Sequence, residues 1–246
     1  MVASGNPKVS LLAAFFLLGG CATMTNNERL QAPTIYERTL TVPSGLKVRY
    51  AIFPPKSFSP EKSFHLILAL HYGGKVTNFY GTEFVTMLIE PALKDVEAII
   101  VDPDCQERRW ENPVSERAVM NLLNHISQEY KVDSRRILVT GYSIGGIGTW
   151  HLAAQHSDFF TAAIPISALP DPKTMAPVKN VPLYVIHSRE DEVFPFKELK
   201  SFIDGQKSGG ASIKIVVVDG ITHYEAYCFI EPPKAAILWI KKVWRE

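Results

Sequence analysis

Surplus charge is the first thing this chain of 246 residues lacks. Lys and Arg number 26 against 25 Asp and Glu, for a formal net charge of +1. That balance gives no reason to expect nucleic acid or an acidic polymer as a partner. The short basic pairs Arg108-Arg109, Arg135-Arg136 and Lys241-Lys242 read as solvated faces or helix ends. Internal repeats and low-complexity tracts are missing. His65, His125, His151, His156 and His187 show none of the spacing, such as H-E-x-x-H, that would bring a metal ion to them, so no metal is expected. No Walker-type phosphate loop is present, and no cofactor is expected. The apolar run Val9–Leu18 is too short for a comfortable membrane span. What remains is ordinary for a globular domain: 46% hydrophobic and 21% charged residues, in a chain long enough for one sizeable core.

Against that plain background one stretch stands out, Gly141-Tyr142-Ser143-Ile144-Gly145. It follows the apolar run Arg136–Thr140 and opens a small-residue helical stretch, Gly145–Ala154. Strand, G-x-S-x-G and helix in this order form a nucleophile elbow, a sharp turn that holds a serine hydroxyl clear of the sheet. Glycines two residues to either side leave room where side chains would collide. The N–H of Ile144 can then face a developing oxyanion, aided by the positive end of the helix. Gly145-Gly146-Ile147-Gly148 also has some likeness to a dinucleotide fingerprint, but it follows a late strand, and the serine explains it better.

The partners of such a serine belong in loops after other strands. His223 is the single histidine beyond Asp191, and it follows the strand-like run Ile213–Val218. It is the expected general base. Asp191 follows the buried-strand pattern Pro182–His187 and is the expected acid, able to fix the tautomer of the histidine. Glu190 and Glu192 beside it read as solvated, and Asp171, within Pro170-Asp171-Pro172, reads as a turn residue. A second oxyanion donor is expected after the run Phe64–Leu70, in His71-Tyr72-Gly73-Gly74, with Gly73 favoured over Tyr72 and His71 read as loop packing.

These pieces together make the chain resemble the α/β-hydrolase superfamily, and within it the small bacterial esterases related to dienelactone hydrolases, polyhydroxybutyrate depolymerases and predicted peptidases. The resemblance rests on Leu70–Gly74, Thr140–Trp150, Phe159–Ser167, Asp191–Pro195 and Thr222-His223, in the family's order. Tyr72 and Ser188 stand where glycine is usual. The resemblance implies ester-type acyl transfer by Ser143, His223 and Asp191, with an acyl-enzyme intermediate, and leaves the substrate open. A serine peptidase or thioesterase with the same three residues is one alternative. A catalytically silent surface lipoprotein that uses the fold for binding is another.

The alternation of strand and helix predicts an α/β fold with a mostly parallel eight-stranded sheet, helices on both faces and an antiparallel start around Pro43-Ser44-Gly45. Strands are expected at 34–42, 47–53, 64–71, 97–102, 136–141, 162–167, 182–187 and 213–218. Helices are expected at 78–94, 115–130, 145–156, 196–208 and 226–244. Only residues 168–181 separate the sixth strand from the seventh, too few for a large lid, so an open cleft is expected. Tyr72, Trp110, Phe194, Phe196, Tyr224 and Tyr227 are candidates for its walls, Trp110 foremost.

Residues 1–21 read as an export signal: a charged start at Lys8, a short apolar core, and Gly19-Gly20 before Cys21. That ending resembles a bacterial lipobox, which implies a lipid on Cys21, a membrane anchor and a place in the cell envelope. Ala22 after it points to the outer membrane in a Gram-negative cell. Residues 22–33 read as a flexible tether and 34–246 as the catalytic domain. With Cys21 lipidated, Cys105 and Cys228 remain as a pair at the catalytic face, where a disulfide is an even expectation against two separate thiols.

Overall fold

A computed structural model describes residues 30–246 except 32, 33 and 76. The signal segment, Cys21 and most of the tether lie outside the described residues.

The sheet follows from where the apolar residues fall. β3 (Phe64–Leu70), β4 (Ala98–Pro103), β6 (Ala162–Ile166) and β7 (Leu183–Ser188) are buried along nearly their whole length, as strands covered on both faces must be. β8 (Ile213–Val218), at an edge, is mostly half-buried. β1 (Tyr36–Thr41) and β2 (Lys47–Phe53) form an antiparallel hairpin, and β2 pairs antiparallel with β4. Every other pairing is parallel, and the strand order is β1-β2-β4-β3-β5-β6-β7-β8, with β5 spanning Val132–Tyr142.

The crossovers run both ways from β3, first to β4 on one side and then to β5 on the other. Right-handed connections in opposite directions put helices on opposite faces. One core layer therefore packs α3 (Pro113–Glu129), α4 (Ile144–Gln155) and α5 (Phe196–Ser208) through Leu122, Trp150 and Phe202. The other packs residues 81–96 and α6 (Glu231–Trp244) through Phe84, Leu88, Ile240 and Trp244. The reversal of direction opens a crevice beyond the carboxyl ends of β3 and β5, the place where ligands bind in such sheets.

Two helices differ from expectation. The segment expected as one helix over 78–94 consists of α1 (Gly81–Phe84), a π-turn (Val85–Ile89), α2 (Glu90–Leu93) and a 3-10 turn (Lys94–Val96). Pro91 sits at the start of α2, so its missing N–H interrupts the hydrogen-bond ladder there. The last helix begins at Glu231 rather than 226, because Pro232-Pro233 suits a first turn and not an interior; a 3-10 turn, Ala226–Phe229, precedes it.

Candidate active site

Ser143 sits between the end of β5 and the start of α4 with φ 56° and ψ −120°, a backbone conformation a side chain disfavours. Two contacts hold it there. Its N–H donates to the Ile166 carbonyl at 3.0 Å, and its carbonyl accepts from the Ile147 N–H at 3.0 Å. Gly145 lets α4 approach β3 closely, since a Cβ there would lie 1.9 Å from the Leu70 carbonyl oxygen.

The hydroxyl ends a chain of hydrogen bonds. Ser143 Oγ lies 2.9 Å from His223 Nε2, and His223 Nδ1 lies 2.9 Å from Asp191 Oδ2. A carboxylate on Nδ1 keeps the proton there and leaves Nε2 as the acceptor for the serine. His223 and Asp191 are buried, and Ser143 is half-buried. Burial works to raise the Asp191 pKa, but the hydrogen bond from His223 and that from the Phe194 N–H outweigh it, and the net shift is downward.

The acid and the base are each fixed by their own loops. Asp191 Oδ1 accepts from the N–H groups of Val193 (3.0 Å) and Phe194 (2.7 Å). His187, at the end of β7, is fully buried and donates through Nε2–H to the Phe194 carbonyl at 2.7 Å, with the same nitrogen 3.8 Å from Asp191 Oδ2. Burial lowers its pKa and favours the neutral ring. Tyr142 donates its hydroxyl to the His223 carbonyl at 2.7 Å.

Glu190 and Glu192, read from sequence as solvated, lace the two loops together. Glu192 Oε2 accepts from the His223 N–H at 2.8 Å, and Glu190 Oε2 accepts from the Gly220 N–H at 2.7 Å. Arg189 adds an ion pair to Asp219 at 2.7 Å. Both residues are solvent-exposed, as expected, and each still lends one carboxylate oxygen to the neighbouring loop. Asp171 is a turn residue that accepts from the Lys173 N–H at 2.9 Å, remote in role from this chain of bonds.

Across the cleft, Gly73 lies against Ile144: a Cβ on Gly73 would sit 3.7 Å from three atoms of that side chain. The two expected donor residues are therefore adjacent. Tyr72 is half-buried and packs its ring against Tyr80, Phe84 and Tyr142. Beneath the loop, His71 is fully buried. Its Nε2 accepts from the Cys105 N–H at 3.1 Å, so its proton is on Nδ1, which donates to the Tyr72 carbonyl at 2.8 Å. The Tyr80 hydroxyl donates to the Gly73 carbonyl at 3.3 Å, while Asp104 anchors the N–H groups of Phe79 and Tyr80 and pairs with Arg49 at 2.7 Å.

Two expectations are corrected here. Trp110 does not wall the cleft. It is 1% exposed, its indole N–H donates to the His71 carbonyl at 3.1 Å, and its Cβ faces Gly148, where an added Cβ would lie 2.4 Å away. Gly148 thus makes the notch that receives Trp110, and Trp110 props the loop bearing Gly73. Cys105 and Cys228 are not bridged. Cys105 is buried with Sγ 3.8 Å from Ser115 Oγ, and burial pushes its thiol up to about 11, whereas Cys228 is exposed on the 3-10 turn. Of the other aromatics, Phe194 packs its ring edge against His223 at 5.3 Å, Tyr224 does so at 5.6 Å, Tyr227 is exposed, and Phe196 stacks on His187 at 6.3 Å. Among the described residues no group of three or more His, Cys, Asp or Glu side chains converges as a metal site would.

A sequence model of the dienelactone hydrolase family matches residues 79–232, more than half of the chain. The chain belongs to the dienelactone hydrolase family. The region matched to the family contains Ser143, Asp191 and His223 and begins just after the Gly73 loop. Over 154 residues the chain is 27% identical to feruloyl esterase B of Talaromyces stipitatus, covering 56% of this chain and 42% of that one. Over 85 residues it is 25% identical to a bifunctional acetylxylan esterase/xylanase of Neocallimastix patriciarum, covering 35% of this chain and 13% of that one. It spans less than half the length of either relative. Among solved structures, a ferulic acid esterase superposes with a TM-score of 0.67 at 22% identity, over 86% of this chain and 98% of that one. That likeness is one of fold, and the fold is that of the α/β-hydrolases.

Proposed function

We propose that this dienelactone hydrolase family member is a serine hydrolase that cleaves carboxylic esters through Ser143, His223 and Asp191. The observation that carries the reading is the continuous chain from Ser143 Oγ to His223 to Asp191, with both links at 2.9 Å, built on a strained turn at the end of a central strand. The esterase names of the relatives in both comparisons favour an ester as the substrate class.

In the first step His223 Nε2 takes the proton of Ser143 as Oγ bonds to the ester carbonyl carbon. The negative charge moves to the carbonyl oxygen, where the N–H groups of Ile144 and Gly73 would stabilise it, with Tyr72 the alternative second donor; the closeness of Gly73 to Ile144 supports this assignment. Loss of one such donor costs on the order of 3 kcal/mol in the barrier. Asp191, already ionised, stabilises the imidazolium and keeps its orientation. His223 then returns the proton to the departing alkoxide, which leaves as the alcohol. Water repeats the sequence on the acyl-enzyme, giving the acid and restoring Ser143. The net change is ester plus water to acid plus alcohol.

The test is a matched set of ester, thioester and anilide substrates with the same acyl group. The reading predicts hydrolysis of the ester fastest and none by Ser143→Ala, with the variant still folded by circular dichroism. Turnover of the ester by Ser143→Ala at the wild-type rate sinks it, and an anilide hydrolysed faster than the ester turns the assignment to a peptidase. The reading extends to location: an exported, lipid-anchored protein of the cell envelope. Labelled palmitate incorporated by the full chain and lost in Cys21→Ala is the expected result; soluble wild-type protein without label contradicts it.

A further inference from the structure

Tyr224 directly follows His223, yet the residue is 79% exposed, and Tyr227 is 57% exposed. The turn that carries them is tightly held. Glu225 Oε2 accepts from both the N–H and the hydroxyl of Thr222, at 2.8 and 2.7 Å, the Glu225 N–H donates to the Thr222 carbonyl at 3.2 Å, and the Cys228 N–H donates to the Glu225 carbonyl at 2.8 Å. The backbone from 222 to 228 is therefore pinned while the Tyr224 ring stands in solvent. Three aromatic rings touch the His223 imidazole, at 5.3 to 5.6 Å between centroids. Tyr142 is buried and Phe194 half-buried; Tyr224 is the one left open.

On the esterase reading, which this inference rests on, the chemistry tells the two sides of the cleft apart. The carbonyl oxygen lies toward Gly73 and Ile144. The leaving oxygen lies toward His223 Nε2, which must protonate it. A ring attached to the residue after His223 therefore borders the alcohol half of the ester. A solvent-open tyrosine on this hydrogen-bonded turn offers a flat apolar face edged by a hydroxyl. It matches a partner with an apolar face and a polar rim, and a sugar ring has that form: its C–H bonds cover one face while its hydroxyls stay in water. A short alkyl alcohol is too small to cover the ring, and among the described residues no insertion between β6 and β7 is long enough to form a large lid that would enclose one.

We infer that Tyr224, extended by Tyr227, is a stacking subsite for the alcohol half of the ester, and that this alcohol is a sugar ring. The substrate class is then an O-acylated sugar.

The experiment compares kcat/KM on four esters: an acetylated methyl pyranoside, ethyl acetate, phenyl acetate and ethyl butyrate, with wild type, Tyr224→Ala, Tyr224→Phe and Tyr224→Ala/Tyr227→Ala. Wild type prefers the acetyl pyranoside to ethyl acetate. Tyr224→Ala lowers kcat/KM on the pyranoside about fivefold more than on ethyl acetate, mainly through KM; the double variant lowers it further, and Tyr224→Phe keeps most of the preference. Equal losses on both acetates overturn the inference. So does a shift in the ratio of ethyl acetate to ethyl butyrate, which would put the ring on the acyl side, or a loss on phenyl acetate in Tyr224→Ala as large as that on the pyranoside. A wild type active on ethyl acetate but indifferent to the sugar overturns the subsite and leaves the esterase reading standing. A wild type inert on all four sinks both.

Discussion

The two sides of the cleft are held in opposite ways. On the side of the histidine, carboxylates do the holding: Asp191 grips the imidazole, Glu192 the backbone N–H of His223, and Glu190 that of Gly220. On the side of Gly73 the groups that touch the loop are neutral: the His71 imidazole, the Trp110 indole and the Tyr80 phenol. Asp104 acts one step back and is paired with Arg49. On the proposed mechanism the difference matches the charge that each side would meet: positive on the imidazole, which nearby carboxylates would stabilise, and negative beside Gly73 and Ile144, where a carboxylate would oppose it. One fold supplies both environments on the two sides of Ser143 by the choice of what props each loop.

The largest expected effect lies where the two sides meet. Ser143→Ala should lower kcat by on the order of a millionfold on an ester substrate, with the thermal midpoint close to wild type. Next comes the neutral side. His71→Leu leaves the Cys105 N–H and the Tyr72 carbonyl without their partner and frees the loop. It should lower kcat about a hundredfold with a smaller change in KM, and lower stability by about 2 kcal/mol in urea titration. A loss confined to stability would mean that the loop finds its catalytic shape without that ring. The charged side should respond less. Glu192→Ala should cost about tenfold in kcat by misplacing His223, and Glu192→Gln, which keeps an acceptor oxygen, should recover most of it. A Gln variant as slow as Ala would show that charge, and not the bond to the backbone, is what Glu192 contributes.

The smallest effect concerns Asp102, at the end of β4. It is 1% exposed, neither carboxyl oxygen has a hydrogen-bond partner among the described residues, and the carboxyl lies against Gly81. Burial, and then the neighbouring charge of Asp104, push its pKa well above the ordinary value of 3.8. A group with a raised pKa binds more protons folded than unfolded, so its contribution is fully present below the unfolded pKa and is lost as pH rises toward the folded one. Asp102→Asn should flatten the fall in thermal midpoint above about pH 4. An unchanged pH profile would mean that Asp102 does not titrate differently in the fold.

The juxtaposition of Ser143, His223 and Asp191 was readable from sequence because each follows a strand with its own signature: the glycines around Ser143, the last strand before His223, the buried run before Asp191. The mostly parallel sheet and its two covered faces were readable for the same reason, from runs such as Phe64–Leu70 and Leu183–Ser188; the strand order was not, because an apolar run marks burial and not which strand lies beside it. What holds those residues was not. Glu190 and Glu192 are solvent-exposed, as their sequence context suggested, but their hydrogen bonds could not be read until β7 and β8 are paired, because the atoms they bind belong to a loop some thirty residues on. Trp110 was expected in the cleft because an aromatic in a site-facing loop reads the same whether it faces substrate or the loop's underside. The clue lay in Gly148, a glycine inside a helix that costs stability unless something packs where its side chain would be. The broken helix over 81–96 carried its own signal in Pro91.

The central claim is that the Ser143 hydroxyl is activated by His223 in the folded protein. A fluorophosphonate probe with the adduct mapped by mass spectrometry tests it most directly. The account predicts a single adduct on Ser143 in wild type and almost none in folded His223→Ala. Folded wild-type protein that takes no label, or takes it at another residue, contradicts it.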